Sequence, residues 1–251
     1  MVDIYFEWGL FVLLIASLII RFGFKKKPDA PILVRYAHEL WAVFLVVFVI
    51  RAFIFQPFIV PSGSMLPTIQ LGDFIFVNQL SYGVHLPFTG TVLLKTGEPK
   101  TGDIVVFKDP VNPQIDLIKT VIGVPGDSVS YVNKQLLING KAVPMQFVQA
   151  TTEPVNINLG STAVQEYTND LGGHIHHVYT SPSRPTQDFT DLIVPPGHYF
   201  CMGDNRDNSD DSRSWGFAFE HDLIGKAEFI FLSYDSTTHT VRWNRIGLRL
   251  P

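Results

Sequence analysis

Two apolar runs stand close together at the start of the chain: Ile4–Ile20, carrying one charge at Glu7, and Leu40–Phe55, carrying one at Arg51. As a helix the first covers roughly 25 Å, just short of a bilayer core of ~30 Å. Either run alone would also suit the core helix of a soluble protein. Two in succession between charged flanks point instead to membrane spans, with Arg51 near enough to the end of its run to snorkel. A cleaved secretory signal carries its positive charges before the apolar stretch. Here Asp3 and Glu7 come first and Arg21, Lys25, Lys26 and Lys27 follow, so the first run reads as a retained helix. Together with Arg35, these basic residues place the connecting loop in the cytoplasm. The expected layout is a first span at 1–21, a cytoplasmic loop at 22–39 and a second span at 40–57. Residues 58–251 then lie across the membrane, which for a bacterium is the periplasm or cell exterior.

That outer part has its own pattern. Phe74–Val77, Ile104–Phe107, Leu117–Val124, Val129–Val132, Leu136–Ile138, Leu192–Val194, Tyr199–Met202 and Phe229–Tyr234 read as strands between Gly, Pro, Asn and Asp. Asn139-Gly140 marks a hairpin, because a type I′ turn needs positive φ at both central positions. Without helical crossovers the strands predict an antiparallel β domain, making the chain mostly β behind two transmembrane helices. Pro144–Pro185 is polar and rich in Thr, Asn and His, and reads as an inserted β or loop subdomain near 141–190. Its His174, His176 and His177 lack a Cys or carboxylate at ligand spacing, so they read as solvated loop histidines and no metal is expected. The net charge of −4 comes with no basic patch in the outer domain, which argues against a nucleic-acid partner. The single cysteine, Cys201, excludes an internal disulfide, and its apolar strand marks it as structural.

Three segments can carry chemistry. Pro61-Ser62-Gly63-Ser64-Met65-Leu66-Pro67 follows the second run directly. On its own it reads as a membrane-exit turn, since Ser, Pro and Gly favour turns for conformational reasons. The same stiff turn also presents Ser64 as a nucleophile beside backbone N–H groups. His85 and His198 both read as turn residues, leaving no histidine in a setting suited to a base. Lys119 lies in the continuous apolar run Leu117–Ile122; it is either an edge lysine pointing outward or a buried amine that serves as base once desolvated. Gly203–Arg213 is dense in Asp and Asn. It fails the EF-hand pattern, with Ser212 at the sixth position and Ala218 at the twelfth. A turn knitted by an Asp211–Arg213 ion pair, able to hold Ser209 against a buried amine, fits it better.

Taken in order, Arg51–Phe58, Pro61–Thr68, Gly102–Phe107, Ile118-Lys119, Val124–Asp127 and Gly203–Arg213 resemble the bacterial type I signal peptidases, membrane-bound Ser/Lys proteases. The resemblance implies Ser64 as nucleophile, Lys119 as general base and Ser62 as the oxyanion partner of the Ser64 N–H. It implies Ser209 as the residue that orients the lysine, with Asp211 and Arg213 as its supporting pair. Phe58, Val60, Met65, Ile69, Val106 and Ile118 fall where the family lines shallow pockets for small substrate residues. Thr120 departs from the basic residue that commonly follows the lysine. The implied substrates are pre-proteins bearing signal peptides, with membrane lipids as the other partner, no cofactor, and residence in the inner membrane with the catalytic domain in the periplasm. Two other readings remain: a Ser/Lys self-cleaving repressor, and a membrane-anchored binding protein on the same fold.

Overall fold

The computed structural model describes every residue except 1, 26–29, 88 and 157–159, so Lys26 and Lys27 lie outside the described residues. Helix α1 spans Val2–Gly23 and helix α2 spans Ile32–Val49. The two run antiparallel: Arg21 near the end of α1 sits over the Trp41 ring in α2, and Phe11 meets Phe48 at the opposite end. Helix α2 begins well before Leu40 because Ile32, Leu33 and Val34 extend its apolar surface behind Pro31, and proline suits a helix start. Arg35 is therefore in the first turn of α2, and the expected loop 22–39 is much shorter.

With the π-helical turn Ile50–Ile54 included, Ile32–Ile54 is the one stretch among the described residues long and apolar enough to cross a membrane, with a mean hydropathy of 2.0. The apolar part of α1, Trp8–Gly23, is shorter, so two spans are not established by length. The second helix also stops before the expected boundary at 57. Phe55–Ile59 is already a strand, paired with Asp73–Asn78, and its position at the sheet edge accommodates Pro57.

The main antiparallel sheet runs Phe55–Ile59, Asp73–Asn78, Leu223–Asp235, Ile104–Lys108, Asp116–Gly123, His198–Met202, Ala218–Phe219, with Thr240–Val241 also on Leu223–Asp235. All eight strands expected from sequence are present; seven agree within a residue or a few at their ends, while the one expected to start at Phe229 already begins at Leu223. A smaller sheet orders Phe189–Ile193, Ser128–Val132, Gln135–Ile138 and Lys141–Ala142, and its turn has Asn139 at φ 51° and Gly140 at φ 74°. His198 opens a strand and His85 ends one, so neither is simply a turn residue.

The polar insert consists of strands and not long loops. Met145–Asn156, Gly160–Leu171 and His174–Thr180 form a separate antiparallel sheet. Its last strand alternates exposed and buried positions, with Ile175 and His177 exposed and His176, Val178 and Thr180 buried, so imidazole and hydroxyl groups supply part of the dry face. One core cluster is formed by Val60, Met65, Ile69, Ile75, Val77, Ile104, Val106, Ala227 and Ile230; a second and a third fill the rest of the domain. At about 1.5–3 kcal/mol per fully buried large apolar side chain, these clusters hold the sheet as a rigid floor.

Candidate active site

Lys119 is on an interior strand. Asp116–Gly123 pairs on one side with Ile104–Lys108, where Val105 faces Lys119, and on the other with His198–Met202, where Met202 faces Thr120. The edge reading is thus removed, and the side chain is only 3% exposed. Its Nζ donates to Ser64 Oγ at 2.7 Å. Burial drives the Lys119 pKa below its ordinary value, against the negative charges of Asp211 and Asp210, which pull it the other way. An amine so placed sheds its proton more readily than a surface lysine and then has a lone pair facing a hydroxyl.

Ser64 is followed in its own segment by two packed residues. Met65 and Ile69 are wholly buried in the first cluster, and Ile69 N–H donates to Met65 O at 2.9 Å. Ser62 is exposed, with its Oγ 3.4 Å from Ser64 Oγ. The Gly203–Arg213 loop grips the turn from the other side. Asn205 N–H donates to Ser64 O at 3.0 Å, and the Asn205 side-chain amide donates to Gly63 O at 3.1 Å. That amide also donates to Glu153, a buried carboxylate of the inserted sheet.

Asp211 and Arg213 pair as expected, with Arg213 donating at 2.8 Å and 2.7 Å to the two carboxylate oxygens. Burial opposes the Asp211 charge, but Arg213 outweighs it and holds the acid below its usual range; Gly203 N–H also donates to Asp211, at 3.0 Å. Ser209 is packed against Gly203 and also faces Asp211, yet its Oγ is aligned with no hydrogen-bond partner among the described residues, Lys119 included. Phe58, Val60, Met65, Ile69, Val106 and Ile118 all belong to or pack on the first cluster. For Cys201, burial pushes the thiol pKa well up, in keeping with a structural role.

Sequence reasoning gave no role to several residues that the fold gathers here. Thr120 donates to Asp204 Oδ1 at 2.8 Å and Thr68 donates to Asp204 Oδ2 at 2.5 Å, so one buried carboxylate ties the Lys119 strand to the segment that follows Ser64. His176 is 0% exposed and faces that same carboxylate, contrary to the solvated-loop expectation. His177 pairs with Glu166 at 2.7 Å. The only sequence signal for these contacts was the density of Asp and Asn after Gly203, because their partners are far away along the chain. The basic C-terminal segment is likewise drawn inward: Arg245 donates to Asp73 Oδ2 at 2.6 Å and Arg242 donates to Ser233 Oγ at 2.8 Å, while Trp243 stays exposed.

Residues 33–232 match the family model described as "Signal peptidase, peptidase S26". The chain belongs to this family. It is 39% identical over 249 residues to the signal peptidase I of Pseudomonas fluorescens, covering 90% of this chain and 86% of that one. To the Pseudomonas aeruginosa signal peptidase I it is 38% identical, covering 89% and 82%. A solved signal peptidase I from Enterococcus faecalis V583 shares 30% identity over 51% of this chain and 96% of its own, at a TM-score of 0.33. Family membership therefore rests on the sequence matches.

Proposed function

We propose that this S26-family chain is a membrane-bound endopeptidase that removes N-terminal signal peptides from exported pre-proteins, with Ser64 as nucleophile and Lys119 as general base. The observation that carries this reading is the 2.7 Å contact between Lys119 Nζ and Ser64 Oγ. The relatives named signal peptidase I support the choice of substrate.

Neutral Lys119 accepts the Ser64 proton as Oγ attacks the carbonyl of the last signal-peptide residue. The oxyanion is met by the Ser64 N–H, which has no hydrogen-bond partner among the described residues, and by the Ser62 hydroxyl. Lys119 returns the proton to the leaving amine, and the acyl-enzyme is then hydrolysed by a water that Lys119 deprotonates. Asp211 and Arg213 stiffen the loop that carries Ser209. Serine and lysine carry every proton transfer in this scheme, so it calls for no metal or cofactor.

The substrate lies extended against a strand, with small residues in pockets lined by Phe58, Val60, Met65, Ile69, Val106 and Ile118. Val60, Met65, Ile69 and Val106 are buried and form the floor, while Phe58 and Ile118 are only partly buried; a small-residue, A-x-A-like end suits such a surface. Both helices anchor the chain in the inner membrane among lipids, with the basic loop in the cytoplasm and residues 58–251 in the periplasm. Cleavage of a pre-protein by the detergent-solubilised chain tests the assignment. Ser64→Ala and Lys119→Ala are each expected to lose at least about a thousandfold in rate; retained cleavage in either removes the dyad.

A further inference from the structure

The Asp204 carboxylate lies at the centre of the site without touching either reacting group. Its oxygens accept from Thr120, next in sequence to Lys119, and from Thr68 in the nucleophile segment. Its backbone O accepts from Tyr179 N–H of the inserted sheet at 2.9 Å, and its chain neighbour Asn205 holds Ser64 O. Asp204 is wholly buried, so its charge has to be met by nearby groups. Arg206 faces it from its own loop, and His176 faces it from the inserted sheet.

His176 Nε2 is 2.8 Å from Gly102 O, and its Nδ1 is 3.5 Å from Asp204 Oδ2, within ion-pair distance though outside hydrogen-bond alignment. A carbonyl oxygen only accepts, so Nε2 carries a proton. In the neutral ring the remaining lone pair, on Nδ1, would then point at a carboxylate. Only the imidazolium gives a donor to both neighbours. The surrounding backbone leaves little room for rearrangement: a Cβ on Gly102 would lie 2.9 Å from Leu171 O and 2.8 Å from His174 Cβ.

We propose that His176, contributed by the inserted sheet, is a positioning residue for the Ser64–Lys119 pair that acts by offsetting the charge of Asp204. This rests on the Ser/Lys reading above. Three acids face Lys119, namely Asp204, Asp210 and Asp211, together with the Cys201 thiol. Each negative charge favours the ammonium form, which cannot accept the serine proton. The His176 cation cancels part of the Asp204 contribution, and its bond to Gly102 O holds the ring beside the carboxylate that Thr68 and Thr120 bind. The insert would then be part of the catalytic apparatus.

The test is the pH dependence of kcat and KM for peptide cleavage by the full detergent-solubilised chain. In His176→Ala the Asp204 charge is less offset and Lys119 stays protonated to higher pH. The acid limb of the kcat profile is therefore expected to move to higher pH, with a loss of about tenfold at neutral pH and KM within about twofold of the parent. In Asp204→Asn the limb is expected to move the other way. His176→Gln keeps a donor for Gly102 O but brings no cation, so it should show the same shift at a near-parental melting temperature. It also decides the matter if His176→Ala fails to fold. A parental profile in His176→Gln, or limbs moving in the same direction in the His176 and Asp204 variants, overturns the proposal. Ser64→Ala separates the two readings: if it still cleaves, the dyad itself fails; if it is inert while the His176 variants match the parent, only this inference fails.

Discussion

Lys119 Nζ lies 2.7 Å from Ser64 Oγ although the two residues are 55 positions apart in sequence. The lysine reaches the serine because its strand is interior to the main sheet and its amine projects from a floor of buried Val, Ile and Met side chains. Everything the site does follows from the state of that amine.

The first prediction concerns pH. Lys119 must be neutral to take the serine proton, and burial lowers its pKa from the ordinary 10.5. The catalytic rate should rise about tenfold per pH unit below that lowered pKa and level off above it. Asp210→Asn removes a negative charge that favours the ammonium, so its acid limb should shift to lower pH. A rate independent of pH between 5 and 9, by the roughly tenfold criterion just given, would contradict a titrating lysine base.

Substitution at this residue should move stability and activity in opposite senses. The folded-state pKa of Lys119 is depressed, so below it the fold bears the full penalty of a buried ammonium. The penalty is relieved as pH rises from the folded pKa towards 10.5. Lys119→Met removes the charge and is expected to abolish cleavage while raising stability at neutral pH by about 1 kcal/mol or more, roughly 2–4 °C in Tm. Calorimetry at two pH values checks both the sign and the shrinking of the gain at alkaline pH.

Gly203 is a steric prediction. A Cβ there would lie 2.5 Å from Ser64 O and would also overlap Ser209. Gly203→Ala should push the supporting loop away from the nucleophile turn and lower kcat by about a hundredfold, since small displacements of reacting groups are costly. Parental activity in this variant would mean that the close backbone approach does not hold Ser64 in place.

Asp73 and Arg245 form a buried pair that closes the C-terminal segment over the nucleophile turn, with Arg245 also donating to Thr68 O at 3.0 Å. Arg245→Met removes the nearer of the two arginines that face Asp73, leaving Arg242 at 3.6 Å, and is expected to cost about 3 kcal/mol in denaturant unfolding. The double variant Asp73→Asn with Arg245→Met should recover part of that loss. Strict additivity of the two single losses would show that the pair is not coupled.

Local signals were legible wherever the cause was local. Asn139-Gly140 makes its turn because both residues tolerate positive φ, and the apolar run around Lys119 forms a strand because it is buried on both faces. The polar insert was harder to read. Strands such as Gly160–Leu171 lack clean apolar alternation, so their pairing is not apparent until the neighbouring strands are in place. Arg242 and Arg245, set in a C-terminal segment that alternates basic and apolar residues, are spent on internal contacts with Ser233 and Asp73.

By itself the sequence determined a chain with an apolar N-terminal helix region and an antiparallel β domain, because hydrophobic runs and turn chemistry act between neighbours along the chain. Ser64, Lys119, Asp211 and Arg213 were joined as a set only by the resemblance to the type I signal peptidases. Only the tertiary structure decided that Lys119 is interior, that Asp204 binds both Thr68 and Thr120, and that His176 of the insert is buried against it. Such contacts join residues far apart in sequence, and their strength comes from exclusion of water, which exists only once the sheets have packed.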